Sequence, residues 1–138
     1  LLQALLVVAV AALLFGVRWG DPVGASLVIL AFAMVAAGAG VLVGAIARTP
    51  DQATAIGIPA SIALGMLGGC MWPLEIVGPA MRAAGHLTPH AWAMDAWLSL
   101  IRDGLGVGAI WRELSVLAVF AAVLSALAVW RLRRALTS

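Results

Sequence analysis

Lysine and tyrosine are missing altogether from these 138 residues, cysteine occurs once, and only 10% of the chain is charged. Without lysine no Walker-type phosphate loop can form, because that loop needs a lysine ammonium beside its glycine-rich backbone to hold the phosphates. Any ATP that drives the protein must be hydrolysed by another polypeptide. Cys70 alone excludes an intrachain disulfide and leaves the redox compartment unread; it reads as a structural thiol. The shortage of charge has the widest consequence. A soluble domain is about one-quarter charged and about half apolar, whereas 64% of this chain is hydrophobic and its mean hydropathy is +1.13. So few charges cannot cover a water-facing surface, and the surrounding medium must be lipid.

What charge there is sits in telling places. The formal balance of +2 and the pI of about 10.0 come from eight basic residues, all arginine. They lie at the ends of apolar runs, as in membrane proteins, and not in a patch suited to nucleic acid, so no nucleic-acid partner is expected. Four apolar runs, at about 1–17, 24–47, 54–71 and 112–131 (the last uncharged from Leu114 to Trp130), are expected spans, and short polar turns, RWGDPVG and RTPDQAT, separate the first three. The first would cover roughly 25 Å of a hydrocarbon core about 30 Å thick. Backbone amides in lipid must be satisfied within the segment, so the runs are expected to be helices in an all-α membrane protein. None shows the alternation of a membrane barrel strand. Four spans put both ends on one side, and the cluster Arg131, Arg133 and Arg134 marks that side as cytoplasmic. Trp19, Trp72, Trp111 and Trp130 fall at expected helix ends, the depth an indole prefers. Gly40 and Gly44 are four apart, as are Gly65 and Gly69. That spacing lets helix backbones approach, either within one subunit or at a dimer seam.

The connection between the third and fourth runs, about 72–104, is too long for a turn and too interrupted to cross. It is expected to be an extracytoplasmic re-entrant or interfacial helical hairpin, tolerated at membrane depth only against protein or beside a wet cavity. Pro73 is expected to open its first helix, because a helix needs no amide donor in its first turn. Gly78-Pro79 interrupts that helix and Gly85-His86 ends it. Thr88 then caps, and Pro89 opens, a second helix running toward Arg102. On that helix Asp95, Ser99, Arg102 and Asp103 share a face, while Met94, Leu98 and Ile101 share another.

"LGGCMWPLE" (Leu67 to Glu75), "LTPHAWAMDAW" (Leu87 to Trp97), "LIRDG" (Leu100 to Gly104) and a last span ending in arginines resemble, in that order, the C-terminal half of a type-2 ABC-transporter permease. The resemblance covers essentially the whole of 1–138, as part of one permease domain. It implies a six-span permease of which these are the last four spans, with the N-terminal spans and the coupling helix lying before Leu1. It further implies a partner ABC ATPase subunit carrying ATP and Mg, a second permease copy in a homodimer or heterodimer, and a place in the bacterial cytoplasmic membrane. The cargo would be a drug, a lipid or a lipid-linked glycan moved outward.

Among the individual residues, Glu75, Arg82, His90, Asp95 and Arg102 are candidates for a substrate pathway or outer gate. The competing reading makes them the watered side of a hairpin, joined by ion pairs worth about 0–1 kcal/mol. His86 and His90 are four apart, but the Thr88-Pro89 break spoils their geometry and no third ligand is near, so no metal or other cofactor is expected on this chain. No constellation resembles a catalytic site. The spans lack the acids and histidines that proton-coupled carriers use, which suits an amphiphilic or apolar substrate. A membrane scaffold that only packs with a partner, or a secondary transporter, would share the same apolar spans.

Overall fold

A computed structural model describes residues 2–137 and their side chains as far as residue 134. Its α-helices are α1 (Leu2–Phe15), α2 (Pro22–Ile46), α3 (Pro50–Leu67), α4 (Pro79–Gly85), α5 (Pro89–Ile101) and α6 (Trp111–Thr137), with a 3-10 turn at Val107–Ala109. The described residues contain no strand. Two helices, Pro22–Ile46 and Trp111–Arg134, are long and apolar enough to cross a membrane. α1 is apolar but only 14 residues long, and α3 opens on Pro50, Asp51 and Gln52, so these two of the four expected spans fall short of that measure.

Proline sets most of the helix starts. Pro22, Pro50, Pro79 and Pro89 each occupy the first turn, where the missing amide costs no bond and the fixed φ favours helix. The residue before each proline is extended, as steric conflict with the ring requires. Asp21 caps α2 by accepting from the amides of Val23 and Gly24 at 3.2 and 3.3 Å. Thr49 accepts from Gln52 N, and Gln52 in turn accepts from Arg48 N, a reciprocal cap that fixes the start of α3. α2 and α3 thus begin two and four residues before the apolar runs that announce them, because capped polar first turns are helical too, while α6 begins one residue before its run.

Pro73 departs from expectation. It opens no helix; it sits in an irregular segment, 68–78, closed by a turn from Ile76 N to Pro73 O at 3.3 Å. The first hairpin helix starts at Pro79 instead, after the extended Gly78. Trp72, Pro73 and Leu74 precede Glu75 and Ile76 without a capping side chain. The cap residue and small side chains that favour a helix come only at Gly78-Pro79-Ala80.

The core lies where α2, α5 and α6 meet. Val28 of α2, Ala96 and Leu100 of α5, and Ile110 form one buried cluster, with Trp97 and Leu114 around it. Val35, Ala93, Leu117 and Ala121 form the next, with Phe32, Trp92 and Phe120. Further along, Gly38 faces Leu124 and Ser125 so closely that an added Cβ would lie 3.1 Å from both side chains. These pairings advance together along both chains, so α2 and α6 run in the same direction. Gly38, and not Gly40, is where their backbones approach. Two residues turn a helix by about 200°, and Gly40 and Gly44 accordingly have nothing within 4 Å. Gly65 looks toward His90, while Gly69 lies beyond the end of α3 with φ +86°. Gly69 therefore serves a turn and not helix packing. α1 and α3 contribute no buried residue and expose large apolar side chains, including Leu6, Leu13, Ile58 and Ile62.

Candidate functional site

The polar residues of the hairpin collect at the end of the molecule where α2 and α6 begin. Leu100 anchors that end. Its side chain packs against Gly24, and its carbonyl lies against Gly20, whose φ of +75° suits only glycine. Asp21 holds the same junction from the other side, its Oδ2 accepting from Val107 N at 3.0 Å. Trp19 stacks edge-on against Trp97 at 5.5 Å and donates its indole N–H to Val8 O. The α1–α2 turn is thereby pinned to α5 and to the 3-10 turn.

On this base the irregular segment 68–78 folds back over α4 and α5. Glu75 Oε1 accepts from Arg102 Nη1 at 2.7 Å, and Arg102 also donates through Nε to Asp103 at 3.2 Å. Both Arg102 and Glu75 side chains are about half exposed (53% and 49%), so the pair is screened and its contribution is small. Arg82 of α4 donates Nε–H to Leu74 O at 3.1 Å, tying the helix to the segment before it. Asp95 meets His86, with Nε2 and Oδ2 2.7 Å apart. His86 Nδ1 lies 2.8 Å from Arg82 O, and Trp92 donates its indole N–H to His86 O. Trp92 in turn carries the Arg112 guanidinium over its ring at 5.3 Å.

A cavity of about 480 Å³ opens among these groups. Glu75, Arg82, His86 and Asp95 line its polar side, and Met71, Trp72 and Met94 its apolar side. The structure thus brings Glu75, Arg82 and Asp95 together around one space, with Arg102 bound to Glu75 at its edge. His90 is not with them. It faces inward, edge-on to Phe32 at 5.0 Å and close to Gly65 and Gly68. Its Nδ1 is buried without a hydrogen-bond partner among the described residues, and burial pushes its pKa down, so the ring is neutral. Thr88 caps α5 by backbone conformation, but its hydroxyl donates backward to Gly85 O at 2.8 Å.

The residue that sequence reasoning passed over is His86. It stands at the end of α4, four residues after Arg82, which places its ring over the Arg82 carbonyl. The signal was the spacing to Asp95 across the Thr88-Pro89 turn, legible only once the turn's geometry is known. Among the described residues no three of His, Cys, Asp and Glu come together as metal ligands would.

Two long apolar helices running side by side, with a proline-cut hairpin folded against one end of them, are consistent with an all-α membrane protein. Residues 1–101 match the ABC-2 type transporter family. The chain is also 33% identical over 110 residues to the linearmycin resistance permease protein LnrN of Bacillus subtilis (strain 168), covering 80% of this chain and 29% of that relative. Comparison with solved structures returns no match. The chain belongs to the ABC-2 type transporter family. It spans less than a third of the length of the relative it matches.

Proposed function

We propose that this chain supplies the last four spans of a six-span permease in the bacterial cytoplasmic membrane. The permease exports an amphiphilic or hydrophobic substrate with energy from a separate ABC ATPase, which binds the ATP and Mg. Two permease copies surround the pathway, and the α4–α5 hairpin forms its outer rim. The observation that carries this reading is the polar cavity of Glu75, Arg82, His86 and Asp95, held at the end of an otherwise apolar bundle. A passive anchor has no need to keep two carboxylates there, since intramembrane and juxtamembrane charges are costly and are retained for use.

The side-by-side course of α2 and α6 supports the orientation. Arg48 follows α2, while Arg131, Arg133 and Arg134 close α6, so the densest basic group gathers at the end opposite the hairpin. Basic clusters remain cytoplasmic, which leaves the hairpin outside and the C-terminus inside. The relative's name, a linearmycin resistance permease, supports an antibiotic-like cargo.

The test is ATP hydrolysis by the full-length protein reconstituted with its candidate ATPase. Hydrolysis that depends on the permease and responds to an amphiphilic drug or lipid is expected. The double variant Glu75→Ala, Asp95→Ala should reduce that response several-fold. Failure of any ATPase to bind would overturn the transporter reading.

A further inference from the structure

A second cavity, about 580 Å³, adjoins the first, between α1, α2 and α5. Its walls are almost wholly apolar, with Val7, Ile29, Phe32 and Trp97 prominent and the neutral His90 ring at one side. The α5 residues that face it, His90, Ala93, Met94 and Trp97, recur at the three- and four-residue spacing of one helix face. The polar cavity is bounded by the neighbouring face of the same helix, at Met94, Asp95 and Leu98. Cys70 and Met94 line both spaces. The apolar slot and the polar vestibule therefore adjoin at a small thiol and a thioether side chain. Methionine is unbranched and flexible, so it can shift at little cost.

We propose that the two cavities form one binding site for a single-chain amphiphile, with its apolar chain in the α1–α2–α5 slot and its head in the hairpin cavity, crossing at Cys70 and Met94. The charges fix the head. Glu75 is paired with Arg102 and Asp95 with His86. With His86 protonated, the charged side chains lining the vestibule, Glu75, Asp95, Arg82 and His86, balance to zero, and they still do when the Arg102–Asp103 pair at its edge is counted. A head with no net charge, neutral or zwitterionic and bearing oxygen acceptors, matches that lining; a net charge on it would stand unbalanced. The slot, having no charged residue, suits a bare hydrocarbon chain, since burying each methylene away from water is favourable. Either volume alone lies within the range of about 300–1,000 Å³ of small-molecule sites.

The inference rests on the permease reading for the amphiphile's status as cargo, but the site itself is tested without the ATPase. Cys70 is exposed and sits at the crossing point, so its alkylation reports occupancy. The full-length protein in phosphatidylcholine nanodiscs would be treated with N-ethylmaleimide, and modification of the Cys70 peptide followed by mass spectrometry. Lysophosphatidylcholine should slow alkylation at least fivefold with saturation, whereas glycerophosphocholine, a head without a chain, should not. Ala36→Trp, at an exposed position lining the slot, should abolish protection, measured as the ratio of rates with and without lysophosphatidylcholine in the variant itself. Protection that is absent, that is equal with the chainless head, or that survives Ala36→Trp overturns the proposal. So does a Cys70 that is inert without any probe, since another segment would then fill the slot. Loss of ATPase coupling with intact Cys70 protection would sink the transporter reading and leave the site standing.

Discussion

His86 Nε2 lies 2.7 Å from Asp95 Oδ2, and this contact joins the end of α4 to the middle of α5. Both nitrogens of the ring face acceptors, since Nδ1 stands 2.8 Å from the Arg82 carbonyl. A neutral imidazole has one N–H and can satisfy one of them; only the imidazolium satisfies both. Burial works to lower the pKa of His86 and the nearby Arg82 charge adds to that. The Arg82 carbonyl and the Asp95 carboxylate outweigh them and hold it above the ordinary histidine value.

The stability of the hairpin should therefore fall as pH rises. The folded-state pKa exceeds the unfolded one, so the contribution is complete below about 6.5 and is lost as pH passes through the raised folded value. Thermal unfolding of the full-length protein between pH 5.5 and 8.5 should show wild type declining and His86→Gln flat across the same interval. Because both side chains are partly exposed, the His86–Asp95 coupling in a double-mutant cycle should not exceed about 1 kcal/mol. Parallel pH profiles for wild type and variant would refute the His86–Asp95 contribution.

Gly38 and Gly40 should respond oppositely to enlargement. An added Cβ at Gly38 would press on Leu124 and Ser125 of α6, while at Gly40 it would meet nothing. Gly38→Val is expected to lower stability by about 1–3 kcal/mol through overpacking, and Gly40→Val to change it by less than about 0.5 kcal/mol. If the Gly40–Gly44 face instead meets a second permease copy, Gly40→Val would weaken the dimer in crosslinking while the subunit stays folded. Equal losses of subunit stability at both positions would contradict the helix pairing described above.

Much of this arrangement could be read from the residues. The all-α character followed from composition, and the Thr88-Pro89 start of α5 and the Gly85-His86 end of α4 followed from local stereochemistry. Pro73 misled because a proline permits a helix start without compelling one, and the cap and small residues that compel it come at Gly78-Pro79. The glycine pairs are a different case: within this subunit Gly65 packs near His90, while α6 meets Gly38 and not Gly40 or Gly44. Spacing of four marks a helix face but not which face is occupied, and the partner helix chose Gly38. His90 and His86 exchanged roles because a three-residue turn between short helices decides which imidazole faces the polar cavity. No periodicity carries that information.

Asp21 should prove to be the residue on which the hairpin end depends most. One carboxylate accepts from Val23 N, Gly24 N and Val107 N, joining the start of α2 to a turn 86 residues further on. Asp21→Ala removes all three acceptors and should cost about 1–2 kcal/mol, near the upper range for a lost N-cap. Asp21→Asn keeps one carbonyl oxygen and should lose less. Hydrogen exchange adds a local readout, in which protection at Val107 falls in Asp21→Ala more than at the α6 interior.

Glu75 separates a structural rim from a working one. Its ion pair with Arg102 is exposed, so Glu75→Gln should alter thermal stability by less than about 1 kcal/mol. A role confined to holding the hairpin would then leave transport unaffected, since the fold barely notices the change. A role in the vestibule predicts a different pattern, because neutralising Glu75 leaves the cavity with excess positive charge beside Arg82. Amphiphile-stimulated ATP hydrolysis should then fall several-fold for a head with no net charge, and fall less for an anionic one, which finds the excess charge favourable. Measured against both classes of lipid in the same nanodiscs, an unchanged ratio would return Glu75 to the fold. A shifted ratio would mean that the carboxylate meets the passing head.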